Sequence, residues 1–307
     1  MKILVAGAAG FAGNALCRML AARGHQVFSA DKAGADYSFD LADSASIQKL
    51  MQETLPDSIV LLAGVSNVAY SWEHPQETFC INVSAALDFF QAHLKIVPRA
   101  RFIFAGSAEE YGKSSPNSMP FKEDDFCHPA NPYALSKFSA AQAMKMLSAK
   151  HRSSFVHLRL ANHYGPAQRK GFVTADFASQ IAEKAVKNDN SEIKVGNLNA
   201  QKDFLFIDDV IEAYIKVIEA HSLKFNTYNI GSGSPIIIKD ILEILVKNLS
   251  GPVQIISDPQ KFRSADTVRL SLDISRISSE LNWMPQTSIE QGLKKTLSFW
   301  INKIQQG

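Results

Sequence analysis

Residues 5–13 read VAGAAGFAG, an apolar run that closes on three glycines, Gly7, Gly10 and Gly13, before the amphipathic stretch NALCRMLAARG. The order is strand, glycine-rich turn, helix. Without Cβ atoms at those positions, backbone N–H groups and a helix N-terminus can approach a pyrophosphate closely. The spacing is Gly-x-x-Gly-x-x-Gly rather than the commoner Gly-x-Gly-x-x-Gly, and a glycine trio alone also suits any tight turn. Its place between a buried strand and a helix makes it a dinucleotide cradle, formed by Gly7, Gly10, Phe11, Ala12 and Gly13.

Asp31 ends the next apolar run, 18 residues after Gly13. A carboxylate there can accept hydrogen bonds from the adenosine ribose hydroxyls and repels a 2′-phosphate, so NAD(H) is the expected cofactor. Lys32 follows at once and offers a cation that would admit NADP(H). Asp40 and Leu41 fall where the following loop could bracket an adenine, and Leu62, Ala63 and Gly64 end a further strand on the same sheet edge, where ligands of open α/β sheets bind.

Outward from this unit, short runs rich in Val, Ile and Phe recur at 26–30, 58–64, 101–107 and 154–160, each long enough for a strand buried on both faces. Between them lie segments with apolar residues at three- and four-residue spacing: 11–23, 44–54, 76–95 and 132–149. Pro132 suits the first turn of the last of these. Strands alternating with helices predict an α/β fold, a Rossmann doubly wound parallel sheet. Beyond about 160 the rhythm loosens, with helices expected near 173–188 and 208–221 and a buried run at YNIGSG. The predicted division is a cofactor domain over 1–160 plus about 204–232. A smaller α+β C-terminal domain for the substrate takes about 161–203 and 233–307.

In NPYALSK, residues 131–137, Tyr133 and Lys137 stand four positions apart on a predicted helix and so share a face. A phenol is a poor acid–base catalyst near neutrality, but a neighbouring ammonium and a nicotinamide charge would favour the phenolate. A Tyr and a Lys one turn apart on a surface helix are common, and the weight comes from the cradle upstream. Ser107 ends the strand FIFAGS and is placed to bond a substrate oxygen beside Tyr133; capping the next turn is its plainer role.

Composition narrows the partners. The 307 residues are 46% hydrophobic and 20% charged, with a net charge of +2 and no basic run, which disfavours nucleic-acid binding by bulk charge. The three cysteines, Cys17, Cys80 and Cys127, form no Cys-x-x-Cys pair and are expected to be reduced, in a cytoplasmic compartment. The eight histidines form no ligand set, so no metal is expected. Glycines interrupt the N-terminal apolar run, which argues against a signal peptide, and no membrane-spanning run is present. The sequons at Asn82 and Asn248 read as chance occurrences in a chain that is not secreted.

Through GAAGFAG, Ser107, YALSK and RLANHYGP the chain resembles the extended short-chain dehydrogenase/reductase family, the NAD-dependent epimerases, dehydratases and reductases of nucleotide sugars, over essentially its whole length. Within it, GSAEEYG, GFVTADFASQI, IKVGNLNAQKDFLFIDDV and YNIGSG are most similar to the branch handling GDP-linked 4-keto-6-deoxy sugars, the reductases and the related GDP-mannose 4,6-dehydratases. The resemblance implies reduction at C4, with Tyr133 protonating the C4 oxygen, Lys137 holding the nicotinamide ribose and Ser107 orienting the ketone. It implies substrate contacts from Ser107, Glu109, Asn162, Val195, Asn197, Lys202, Arg263 and Asp266, and a homodimer built on helix pairs; Phe79, Phe89, Phe90, Met144 and Met146 on the helices over 76–95 and 132–149 suit either such a bundle or the ordinary core. The chain departs from the family in having Lys202 where most relatives carry Arg, and Ser264 after Arg263 where the usual residue is Pro. Glu109 occupies the place of the dehydratase base, which keeps a redox-neutral dehydratase or 4-epimerase open; Ala108 argues against the nucleoside-diphosphoglucose dehydratases. A non-catalytic dinucleotide sensor is the alternative of another class, and it would be expected to have lost part of the Ser107, Tyr133 and Lys137 set.

Overall fold

The computed structural model describes residues 1–112, 119–187, 192–249, 253–261 and 269–306. The first half alternates as the sequence predicts: β1 (Lys2–Ala6), α1 (Phe11–Ala22), β2 (Gln26–Asp31), β3 (Tyr37–Ser38), α2 (Ser44–Thr54), β4 (Ser58–Leu61), α3 (Val68–Glu73), α4 (Pro75–Phe79), α5 (Ala86–Ile96), β5 (Arg101–Ala105), α6 (Pro132–His151) and β6 (Phe155–Leu160). The second half is more broken: β7 (Asn162–Tyr164), α7 (Val173–Lys187), β8 (Ile193–Val195), β9 (Gln201–Lys202), β10 (Phe204–Phe206), α8 (Ile207–Glu219), β11 (Thr227–Ile230), β12 (Ile236–Ile237), α9 (Ile238–Val246), β13 (Ile255–Ser257), α10 (Ser275–Leu281) and α11 (Ile289–Gln306).

Seven parallel strands form one sheet in the order β11-β6-β5-β4-β1-β2-β3. The order reverses between β1 and β4, so their carboxyl ends leave a crevice where a dinucleotide lies in folds of this kind. Residues Ile3 to Ala6 and all of β4 are buried, as continuous apolar strands covered on both faces must be. Leu16, Leu20, Ile211, Ile215 and Ile218 pack on one face, and Ile47, Met51, Phe89, Phe90 and Met144 on the other.

The single helix expected over 76–95 is in fact α4, a π-helical turn at Cys80–Ala85, and α5. A π turn inserts one residue per turn into the hydrogen-bond ladder and often marks a functional site; here it buries Asn82 at 1% exposure. Of the five apolar residues that suit either a dimer or the core, Phe89, Phe90 and Met144 belong to the core at 0% exposure, Phe79 is half-buried and Met146 is exposed.

The remaining strands form three two-stranded satellites, β7 with β10, β9 with β12 and β8 with β13, covered by α7, α9 and α11. The chain leaves the main sheet after β6, re-enters it through β11, and leaves again at Gly231. Asp203 sits where these passages meet. It is fully buried, its carboxylate accepts from Ser232 N (2.7 Å), Ser232 Oγ (2.6 Å) and Gly233 N (3.1 Å), and its carbonyl accepts from Asn162 N (3.2 Å).

Candidate active site

The glycines of the turn are fixed by lack of room. Gly7 has φ +95°, and a Cβ there would lie 2.5 Å from Ala63 N; a Cβ on Gly13 would overlap the Gly7 carbonyl. Gly10 caps α1 in an extended conformation with no side chain over the helix end. The N–H groups of the first turn of α1 therefore open onto the crevice, and the geometry fits a dinucleotide pyrophosphate. Leu62 N and Ala63 N both donate to Ala6 O (2.8 and 2.9 Å), tying the end of β4 to the turn.

Asp31 closes β2 with its carboxylate against the cradle, accepting from Ala9 N (3.0 Å) and Lys32 N (2.8 Å). Lys32 Nζ pairs with Asp40 Oδ1 at 3.2 Å. The Ala42 N–H, then the lysine, hold the Asp40 carboxyl below its ordinary range. Leu41, expected to bracket the adenine, packs in the core cluster beneath α2 and α5.

Ser107 lies just past β5 and opens a short 3-10 turn, Ala108–Tyr111. The turn is capped in both directions. Ser107 Oγ accepts from Glu109 N (3.2 Å), and Glu110 Oε1 accepts from Ser107 N (2.8 Å). Glu110 is fully buried, with His157 Nε2 at 3.0 Å and Arg159 Nε at 3.4 Å. Burial by itself would raise its carboxyl; His157 and Arg159 outweigh it and hold the group below its ordinary value, ionised. Arg159 continues the network to Tyr111 Oη (2.9 Å), which donates to Asn229 Oδ1 (2.8 Å).

Tyr133 enters from the first turn of α6. Asn131 caps that helix through Ala134 N (2.8 Å), Pro132 suits its first position, and Tyr133 N donates to Ser71 Oγ on α3 (3.1 Å). The Ser107 hydroxyl lies near enough to the phenol to favour its ionised form. Lys137, one turn on, is buried, with Nζ 4.9 Å from the centre of the Phe104 ring and close to Gly64. Ser107, Tyr133 and Lys137 thus meet at the end of the crevice, as the sequence places them.

Their electrostatics differ from the sequence expectation. Burial raises the Tyr133 phenol above its ordinary value, Glu110 and Glu109 raise it further, and only Ser107 opposes them. Burial pulls Lys137 down to about 8, with Glu110 opposing. The ammonium expected to acidify the phenol is itself desolvated, so the protein alone keeps Tyr133 in its acid form.

Among the expected substrate contacts, Asn162 is half-buried in β7, beside β10. Val195 belongs to the core, and Asn197 Oδ1 accepts from Asn199 N (3.0 Å) in a turn. Lys202, expected on the nucleotide, pairs with Glu109 Oε1 at 2.9 Å. Arg263 and Asp266 lie outside the described residues. Sequence reasoning missed Asn82, whose Nδ2 donates to Val65 O and Ser136 Oγ (both 3.0 Å) and whose Oδ1 accepts from Val65 N (2.8 Å). It buttresses the loop of Gly64 against α6. Its signal in the sequence is a polar residue inside an apolar helical run, which a sequon reading of Asn82 hides. Glu110 was missed as well, although the second glutamate of EEYG follows an apolar strand.

The sequence model described as GDP-mannose 4,6 dehydratase matches residues 4–296. The chain belongs to the GDP-mannose 4,6 dehydratase family. Among the relatives of this family member, GDP-6-deoxy-D-mannose reductase from Pseudomonas aeruginosa is 29% identical over 99% of both chains, and UDP-glucose 4-epimerase from Mycolicibacterium smegmatis is 27% identical over 99% and 100%. The structure of RMD from Pseudomonas aeruginosa complexed with NADPH superposes at a TM-score of 0.89, with 28% identity over 99% of this chain and 100% of that one. UDP-glucose 4-epimerase from Thermus thermophilus with NAD, 23% identical over 98% and 99%, shares the fold at 0.87.

Proposed function

We propose that this chain is an NAD(P)H-dependent reductase of the C4 ketone of a GDP-linked 4-keto-6-deoxy sugar. The observation that carries the reading is the convergence of Tyr133, one turn before Lys137 on α6, with Ser107 at the start of the turn after β5. The similarity to GDP-6-deoxy-D-mannose reductase supports the substrate class.

Gly7, Gly10, Phe11, Ala12 and Gly13 hold the dinucleotide, with Leu62, Ala63 and Gly64 along its other side. When bound, the nicotinamide supplies hydride for C4. Ser107 donates a hydrogen bond to the ketone oxygen, and Tyr133 gives it a proton as negative charge develops there, a stabilisation realised most fully in the transition state. Lys137, one turn on along the same helix face, stabilises the phenolate electrostatically once the proton has left. Asp31 favours NAD(H) through the ribose hydroxyls; Lys32, already beside Asp40, supplies a cation for the 2′-phosphate of NADP(H).

The satellite region, 161–203 and 233–307, is the proposed substrate domain, and 1–160 with 204–232 the cofactor domain. No helix among the described residues is long and apolar enough to cross a membrane, and a cytoplasmic homodimer is part of the proposal. A redox-neutral dehydratase or epimerase is the second reading, kept by Glu109 in the turn of Ser107. Incubation of the protein with GDP-4-keto-6-deoxy-D-mannose and either reduced dinucleotide separates the two: one equivalent of NADH or NADPH oxidised per sugar is expected. Conversion of the sugar without oxidation of the dinucleotide would reject the reductase in favour of the second reading.

A further inference from the structure

An ionised carboxylate is stable in a protein interior only where donors meet it, and beside a reacting centre it acts on every proton there. Glu110 is such a group: it is fully buried and takes no part in the hydride or proton steps assigned above. Its Oε1 accepts from Ser107 N at 2.8 Å and lies 3.0 Å from His157 Nε2, while Oε2 lies 3.4 Å from Arg159 Nε. Gly106 lets them meet, since a Cβ at that position would overlap both the carboxylate and the imidazole.

The clamp acts first on geometry. With its N–H held by Glu110 and its Oγ accepting from Glu109 N (3.2 Å), Ser107 keeps its hydroxyl hydrogen to donate to an oxygen in the crevice. It acts next on charge. His157 and Arg159 face the carboxylate from β6, and the Cys127 thiol, pushed up chiefly by burial, feels it from the loop before α6. From α6, Tyr133 and Lys137 feel it too: the negative charge opposes the effect of burial on the ammonium and adds to that on the phenol. Glu109, paired with Lys202 of β9, acts on the phenol in the same sense, and Tyr214 of α8, kept neutral by burial, feels the phenol in turn.

We propose that Glu110 is a positioning residue for the reduction: it clamps the Ser107 backbone so that the hydroxyl serves the ketone, and its buried charge keeps Tyr133 and Lys137 both protonated. This rests on the reading of the site as a 4-ketone reductase. A site so charged is set to give a proton to an oxygen, with the cation already present to stabilise the phenolate that remains.

Single-turnover oxidation of NADPH by GDP-4-keto-6-deoxy-D-mannose, followed from about pH 6 to about pH 10, tests both halves. Reduction falls as pH rises through the first proton lost by the Tyr133–Lys137 pair, and a nearby negative charge holds that proton. Glu110→Gln keeps an oxygen for Ser107 N and removes the charge, so the alkaline fall should move to lower pH by roughly one unit or more. Glu110→Leu with His157→Leu removes the carboxylate and a facing donor together, and leaves Arg159 bonded to Tyr111 Oη and the Glu123 carbonyl. This double variant should show the same displacement, with a plateau rate roughly tenfold or more below that of Glu110→Gln, because the clamp is gone as well. A structural tie would lower the rate equally at every pH. An alkaline fall that stays in place in Glu110→Gln would therefore overturn the proposal, as would equal plateau rates in the two variants. Loss of folding in both would make Glu110 a structural tie and overturn it equally. Oxidation of neither NADH nor NADPH by the wild-type protein would instead reject the functional reading, and this proposal with it.

Discussion

Replacing Tyr133 by phenylalanine removes one oxygen from a helix whose cap, Asn131 to Ala134, and whose anchor, Tyr133 N to Ser71 Oγ, are both independent of it. The cradle lies on other elements, so cofactor affinity should be nearly unchanged. Turnover should fall by roughly two or more orders of magnitude, the usual worth of a positioned proton donor. Fluorescence titration with NADPH and steady-state rates measure the two effects; full turnover in Tyr133→Phe would assign the proton to another group. The identities of Ser107, Tyr133 and Lys137 were legible because each sits at a fixed offset from a strand or helix start. Their protonation was not, because the phenol responds to burial and to Glu110, a neighbour whose approach depends on Gly106: a Cβ there would overlap both the His157 ring and the Glu110 carboxylate. Lys202 illustrates the same limit, since its partner is 93 residues away.

At the scale of elements, α5 carries an acid-sensitive weak point. His93 is fully buried between the Phe90 and Phe102 rings, at 5.3 Å from each, and among the described residues neither ring nitrogen makes a hydrogen bond of good geometry. Burial pulls its pKa down to about 4, against a smaller opposing effect of the Val97 backbone. As pH falls from about 6.5 toward 4, the unfolded chain takes up a proton that the folded chain refuses, so stability drops through that window. His93→Leu should remove the drop, with a gain over wild type that grows below pH 6.5 to at most roughly 3 kcal/mol. Urea unfolding at pH 7 and pH 4.5 measures it, and an equal gain at both would refute the titration argument. The alternating strands and helices of the first half were readable from apolar period alone, since parallel strands buried on both faces are continuous runs. The π turn at Cys80–Ala85 was not, because it preserves helical periodicity while shifting the face that Asn82 presents. The two- and three-residue satellite strands are too short to carry a period.

At the scale of the whole molecule, α6 presents exposed apolar residues on its outer face. Leu135 and Met146, at 43% and 74% exposure, are eleven residues apart and so lie on one face of α6, and Trp72 of α3 is 53% exposed. The opposite face of α6, with Ala134, Ala140, Ala141 and Met144, is the one that packs in the core. A homodimer that joins these stripes should give twice the chain mass by light scattering, and Met146→Glu with Leu135→Glu should halve it without loss of helix content. A wild-type particle of single-chain mass would reject the pairing.

Ala161 N donates to Ile230 O at 2.8 Å, so the two departures from the sheet are stitched side by side, and Asp203 rivets the third passage to both. Three strands bound into one ribbon resist swivelling and sliding far more than flexing about their common line. A displacement of one side against the other that keeps these bonds is confined to bending about their common line, and the Lys202–Glu109 pair ties β9 to the turn after β5 beside that line.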